Sequence, residues 1–116
     1  MYGYHGSMWT VPGRRDEVVE ILTSGAGELL AAGCRSYVVG VTDEDPDEIV
    51  VTEVWLSREH HDASLRLPSV QEQIARARPM LAGRFASREL RIVGGLGVDV
   101  DEPVVDEPVV DPAPER

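Results

Sequence analysis

No lysine occurs in this chain; all 11 basic side chains are arginine. Schiff-base and other lysine-based catalysis is therefore excluded, and the bias points to a GC-rich coding genome. Cysteine is present once, as Cys34, so an internal disulfide is impossible. That suits a reducing compartment, and a cytoplasmic location is expected. Cys34 itself reads as a small buried hydrophobe. No apolar run approaches the length of about 20 residues needed to span a bilayer. The opening MYGYHGSMW has neither a basic start nor an apolar stretch, so a signal peptide is not expected. Positive charge is scarce too. A net charge of −10 would repel nucleic acid and anionic membranes, and neither is expected as a partner.

What remains is enough for one domain. With 116 residues, 42% apolar content and 5% aromatics, the chain reads as globular rather than disordered or fibrous. Its acidity is unevenly placed. From Val98 onward seven acids meet a single arginine, a net of −6, while the remaining body carries only −4. The segment DEPVV stands at 101 to 105 and again at 106 to 110. Two units follow: a folded domain over 1–97 and an acidic Pro/Val-rich low-complexity tail over 98–116. The tail reads as a solubilising extension. Its alternating valines also allow it to add an edge strand to the sheet or to a partner subunit.

Along the body the apolar period switches between strand-like and helix-like. Residues 2 to 11 alternate, with Tyr2, Tyr4, Gly6, Met8 and Thr10 on one face and Gly3, His5, Ser7, Trp9 and Val11 on the other. Pro12-Gly13 stops that strand. Residues 14 to 32 show helical spacing, with Val18, Ile21, Leu22, Gly25 and Leu29 on one side and Gly33 as the C-terminal cap. Gly25 and Gly27 each cost on the order of 1 kcal/mol inside a helix, which implies close packing there. A valine-rich strand over 34 to 42, the acidic turn DEDPDE and a strand over 49 to 56 read as a hairpin. Ser57 caps a short helix over 58 to 66. Ser69 to Glu72 form a capping box for a helix whose stripe is Val70, Ile74, Ala77 and Leu81, ended or kinked by Pro79. Residues 84 to 93 give the last strand.

The order β-α-β-β-α-α-β is the split βαβ pattern of an α+β, ferredoxin-like fold, an antiparallel sheet with helices on one face. Such a sheet leaves valine-rich strands wet on its other face. A homodimer packed sheet on sheet, a dimeric α/β barrel, is therefore predicted, with Trp9 in the interface.

With these pieces in place, the chain resembles the antibiotic biosynthesis monooxygenase family of small dimeric ferredoxin-like proteins. PGRRDEVVEIL after the first strand, GCRSYVV opening the second, VVTEVW in the third and RIVGGLG closing the fourth carry the resemblance across 1–97. The EVW strand followed by a helix is its most specific piece, and the acidic tail has no counterpart. The resemblance implies a cofactor-independent monooxygenase, an oxidoreductase using O2 on a phenolic, hydroquinone or polyketide-like aromatic substrate held between sheet and helices. No cofactor and no metal are expected. Haem-degrading relatives need an asparagine and a histidine ligand where this chain has Gly6 and Leu65, so haem degradation is not expected. A histidine often found nine residues after the tryptophan is Ser64 here, and an asparagine four before it in some phenol oxidisers is Val51. Fold alone leaves two alternatives: a non-oxidative cyclase or isomerase, and a non-catalytic small-molecule-binding protein.

The chemistry concentrates in IVVTEVWLSREHHD, residues 49 to 62. Period two puts Ile49, Val51, Glu53 and Trp55 on one strand face, which by the resemblance looks into the cavity. Trp55 corresponds to the family tryptophan and either stacks on a planar ligand or packs as core. Glu53 is expensive in an apolar cavity unless paired or protonated. It either faces substrate or is tied to Arg35, Arg76 or Arg91. His60 and His61 point about 100° apart on a helix and cannot readily chelate one metal together. His61 lies where some relatives place a tyrosine over the substrate, and is the candidate general base. The plainer reading leaves both histidines exposed. Trp55, His61 and Arg76 are thus the catalytic candidates, with Arg78 an equal choice for stabilising a phenolate. Tyr4, Met8, Tyr37, Val51, Glu53 and His60 are the substrate-binding candidates.

Overall fold

The structure, a computed structural model, describes residues 1–103. Its elements run β1 (Tyr2–Thr10), α1 (Arg15–Thr23), α2 (Glu28–Ala31), β2 (Cys34–Val41), β3 (Glu48–Trp55), α3 (Arg58–Ser64), α4 (Pro68–Ala77), a 3-10 turn (Arg78–Met80) and β4 (Leu81–Arg91). The four strands form one antiparallel sheet in the order β2-β3-β1-β4. The strands joined by helices are therefore never neighbours: β1 and β2 flank β3, and β3 and β4 flank β1. This is the expected α+β, ferredoxin-like arrangement, and the helices pack on one face.

Register decides which side chains share that inner face. Tyr2 lies opposite Trp55, Tyr4 opposite Glu53, Gly6 opposite Val51 and Met8 opposite Ile49. From the other side Tyr37 of β2 lies opposite Glu53. At the Ile49 end, Val18 and Ile21 of α1, Ile49 and Val51 of β3, Ala77 and Met80 close into the buried core. Val18 and Ile49 are 0% exposed, and burying such a side chain contributes about 1.5–3 kcal/mol each. The Trp55 end of the same face stays open.

Three local expectations change. The single helix over 14 to 32 is two, because Gly25 takes φ +73° and breaks the helical run between Thr23 and Glu28. Only glycine adopts that backbone without strain. The amide of Gln73 on α4 then donates to the freed carbonyls of Ile21 at 3.2 Å and Ser24 at 2.5 Å. The glycine break thus lets the two helices be fastened through exposed carbonyls. The capping box at Ser69 is not used. The helix begins earlier, with Pro68 in its first turn and no side-chain cap, since proline needs no hydrogen-bond acceptor there. Finally, β4 begins at Leu81, directly after the turn that Pro79 enforces.

The outer face carries His5, Ser7 and Trp9 of β1, with Val38 of β2 57% exposed and Leu90 of β4 41% exposed. Trp9 donates from Nε1 to Asp45 at 2.9 Å, and the Arg84 guanidinium lies 3.9 Å above its ring. After β4 the chain folds back, with Ile92 bonded to the Met1 carbonyl at 3.0 Å. It then reaches the opposite sheet edge, where Arg35 of β2 grips Glu102 through Nε and Nη2 at 2.9–3.2 Å. The first residues of the acidic segment are thus tied to the body. The valines of both DEPVV repeats, and with them the edge-strand reading, lie outside the described residues.

Candidate active site

A cavity of about 510 Å³ lies between the open end of the sheet and the helices. Its floor comes from Met8, Tyr37, Glu53, Trp55 and Phe85, and its roof from Leu22, Leu29, Leu65, Gln73 and Arg78. The stripe Val70, Ile74, Ala77 and Leu81 also lines it. The helical spacing had already put these four on one stripe, and here that stripe faces a space. A recess of about 120 Å³ adjoins this cavity, sharing Met8, Leu22, Tyr37, Glu53 and Phe85 and adding Tyr4, Gly6 and Val51.

Glu53 faces both spaces. Trp55 donates its indole N–H to Glu53 Oε1 at 2.8 Å, a contact possible because residues two apart on a strand share a face. None of the arginines proposed as partners reaches it. Arg35 is committed to Glu102, while Arg76 and Arg91 point to the exposed surface. Burial therefore raises the Glu53 carboxyl above its ordinary range, and the Trp55 hydrogen bond and the nearby His61 only partly offset this. Tyr37 opposite is pushed up to about 12, first by burial and then by the Glu53 charge. Its hydroxyl thus stays a neutral donor.

The histidines separate, and neither is exposed: both are 8% accessible. Ser57 caps α3 by accepting from the His60 N–H, and its Oγ shares a 2.6 Å hydrogen bond with His60 Nδ1. The His60 ring packs on the bend at Gly33, where even a Cβ would come within 2.8 Å of Cδ2. His60 therefore lies away from the cavity, contrary to its expected substrate contact. His61 turns toward the sheet. It stacks on Tyr4 at 5.2 Å, meets Trp55 edge-on at 5.6 Å and lies 5.2 Å from Tyr2. Its Nδ1 bonds Asp62 at 3.0 Å. It stands behind Trp55 rather than on the cavity wall.

Just past the end of α4 the cavity receives Arg78, the first residue of the 3-10 turn, whereas Arg76 is absent from the lining. Arg78 follows Ile74 by four residues and precedes Leu81 by three, so the helical period already placed it on the apolar stripe. Of the other lining residues, Leu22 and Leu29 were read only as a helix stripe and Leu65 only as a departure from the haem-degrading relatives, while Phe85 and Gln73 were not singled out from the sequence. Only tertiary packing brings those five together. Cys34 is buried as expected, its thiol pushed up to about 11 by that burial. Among the described residues no group of three His, Cys, Asp or Glu comes together to hold a metal ion. No described helix is long and apolar enough to cross a membrane.

The architecture around this cavity has known counterparts. A protein from Chloroflexus aurantiacus, provisionally named an antibiotic biosynthesis monooxygenase, is 48% identical over 81% of this chain and 94% of its own, with a TM-score of 0.73. A provisionally named counterpart from Caulobacter crescentus superimposes with a TM-score of 0.73 at 18% identity, covering 80% of this chain and 90% of its own. One from Deinococcus radiodurans gives 0.65 at 17% identity, covering 85% and 99%. Those two speak for the fold alone. Among curated protein sequences none matches. The sequence profile of the antibiotic biosynthesis monooxygenases matches residues 1–76, and the chain belongs to that family.

Proposed function

We propose that this protein is a cofactor-independent monooxygenase that converts a phenolic or hydroquinone substrate to a quinone with O2. The observation that carries the reading is Glu53: a carboxylate raised by burial, held by one indole N–H, at the floor of a largely apolar cavity of about 510 Å³. That volume falls within the range of small-molecule sites. Glu53, rather than His61, takes the phenol proton. His61 supports the ionised carboxylate from behind Trp55, and Arg78 and the neutral Tyr37 hydroxyl offer donors to the phenolate. The phenolate passes one electron to O2, and the resulting radical and superoxide combine at a ring carbon. Loss of that carbon's proton and cleavage of the O–O bond leave a quinone and one water. The substrate supplies the electrons; the protein positions, desolvates and deprotonates.

The non-oxidative alternative draws on the same carboxylate, since a buried base also suits C–H abstraction in a cyclase or isomerase. A non-catalytic binder is disfavoured by an open cavity with a polar group beside Trp55. Oxygen uptake with a panel of phenols and hydroquinones tests the reading. Glu53→Gln should lower kcat by about 100-fold or more, and wild-type rate should rise with pH as Glu53 ionises. Substrate turnover without oxygen uptake would replace it with the non-oxidative reading. We further propose that the protein works as a homodimer joined through the outer sheet face.

A further inference from the structure

The small recess beside Glu53 has no assigned role, and its walls differ from those of the main cavity. It holds about 120 Å³, less than the roughly 150 Å³ apolar cavity that takes up benzene or xenon. Tyr4, Gly6, Ser7, Val51 and Ala86 line the recess and not the main cavity. Gly6 makes the room: a Cβ there would stand 3.1 Å from Tyr4 Cε1 and 3.3 Å from the Ala86 carbonyl oxygen. Val51, only 5% exposed, presents methyl groups from the neighbouring strand. A water needs two to four polar partners to be held in such a place; Ser7 gives its hydroxyl proton away to Glu48 at 2.7 Å, and Tyr4, Tyr37 and Glu53 are the other polar residues among mostly apolar walls. A small apolar molecule meets no such requirement.

We infer that this recess is the dioxygen site, an inference that rests on the oxygenase reading of the adjoining cavity. A phenolate deprotonated by Glu53 in the main cavity then stands beside an O2 molecule held against Gly6 and Val51. The electron passes across that shared boundary, and the new C–O bond forms there, with O2 as the only oxidant. Main cavity and recess thereby divide substrate and co-substrate between them.

Two variants reduce the recess from different walls, Val51→Ile and Gly6→Ala; the first adds a methylene at a core position and the second crowds the Tyr4 ring, so kinetics are read at a temperature where urea denaturation shows each variant folded. Each should raise KM for O2 by about tenfold while KM for the phenol and kcat at saturating O2 stay within about twofold. Xenon, titrated into the wild type and followed by the Val51 methyl resonances, should bind and should fail to bind Val51→Ile. An absence of xenon binding with oxygen uptake intact overturns the recess as a gas site. A rise in phenol KM in place of O2 KM assigns the recess to the substrate and also overturns it. Xenon binding without oxygen uptake from any phenol sinks the oxygenase reading and with it the dioxygen role.

Discussion

Replacing Trp55 with phenylalanine separates the two jobs this side chain performs. Trp55 is 1% exposed and donates to Glu53 at 2.8 Å. Losing a hydrogen bond to a charged acceptor costs about 2 kcal/mol. Emptying the space of the missing ring edge adds about 1–2 kcal/mol of lost transfer and cavity energy. The sum of about 3–4 kcal/mol should lower Tm by roughly 15 °C. The two contributions differ in pH dependence. The cavity cost is constant, but the hydrogen bond favours only the ionised carboxylate. Burial already raises the folded-state Glu53 above its unfolded value, and loss of the indole donor raises it further. Both proteins lose stability alike as pH rises above the unfolded carboxylate range; the gap between them widens only once wild-type Glu53 ionises, and it levels off when the variant's Glu53 has ionised too. Urea denaturation of both proteins from pH 4 to 9 measures that gap directly. The acidic limb of the oxygen-uptake profile should move to higher pH in parallel. A stability gap independent of pH would falsify the assignment of Glu53 as an ionised, indole-held base.

The remaining predictions concern sites away from the reaction. Gly33→Ala should lose about 2–3 kcal/mol in urea denaturation, since Gly33 has φ +105° and its Cβ would meet His60. An unchanged midpoint would mean that the bend yields freely. Cys34, raised to about 11, should react slowly with a thiol reagent at pH 8 and rapidly once unfolded; fast labelling of the native protein contradicts its burial. Sedimentation at micromolar concentration should give a dimer, and Leu90→Arg on the outer face a monomer, whereas a monomeric wild type removes the sheet-on-sheet assembly.

Much of the scaffold was legible because it rests on local rules. The period-two runs of β1 and β3, the stop at Pro12-Gly13 and the cap at Ser57 each depend on neighbours in sequence. Gly25 was read as a packing glycine inside one helix. Its positive φ instead ends the helix, a choice that propensity alone leaves open because glycine permits both. Arg78 was legible in hindsight from its spacing to Ile74, since Arg76 falls about 200° away from that residue.

Local patterning fixed the run of strand-like and helix-like segments and put one carboxylate and one indole on the same face of β3. Those follow from alternation and need no partner. What only the tertiary structure decided is who meets whom. Glu53 takes Trp55 rather than an arginine, His60 turns to the Gly33 bend, and His61 retreats behind Trp55. These outcomes depend on contacts between elements distant along the chain, where desolvation and packing, not spacing, choose the partner.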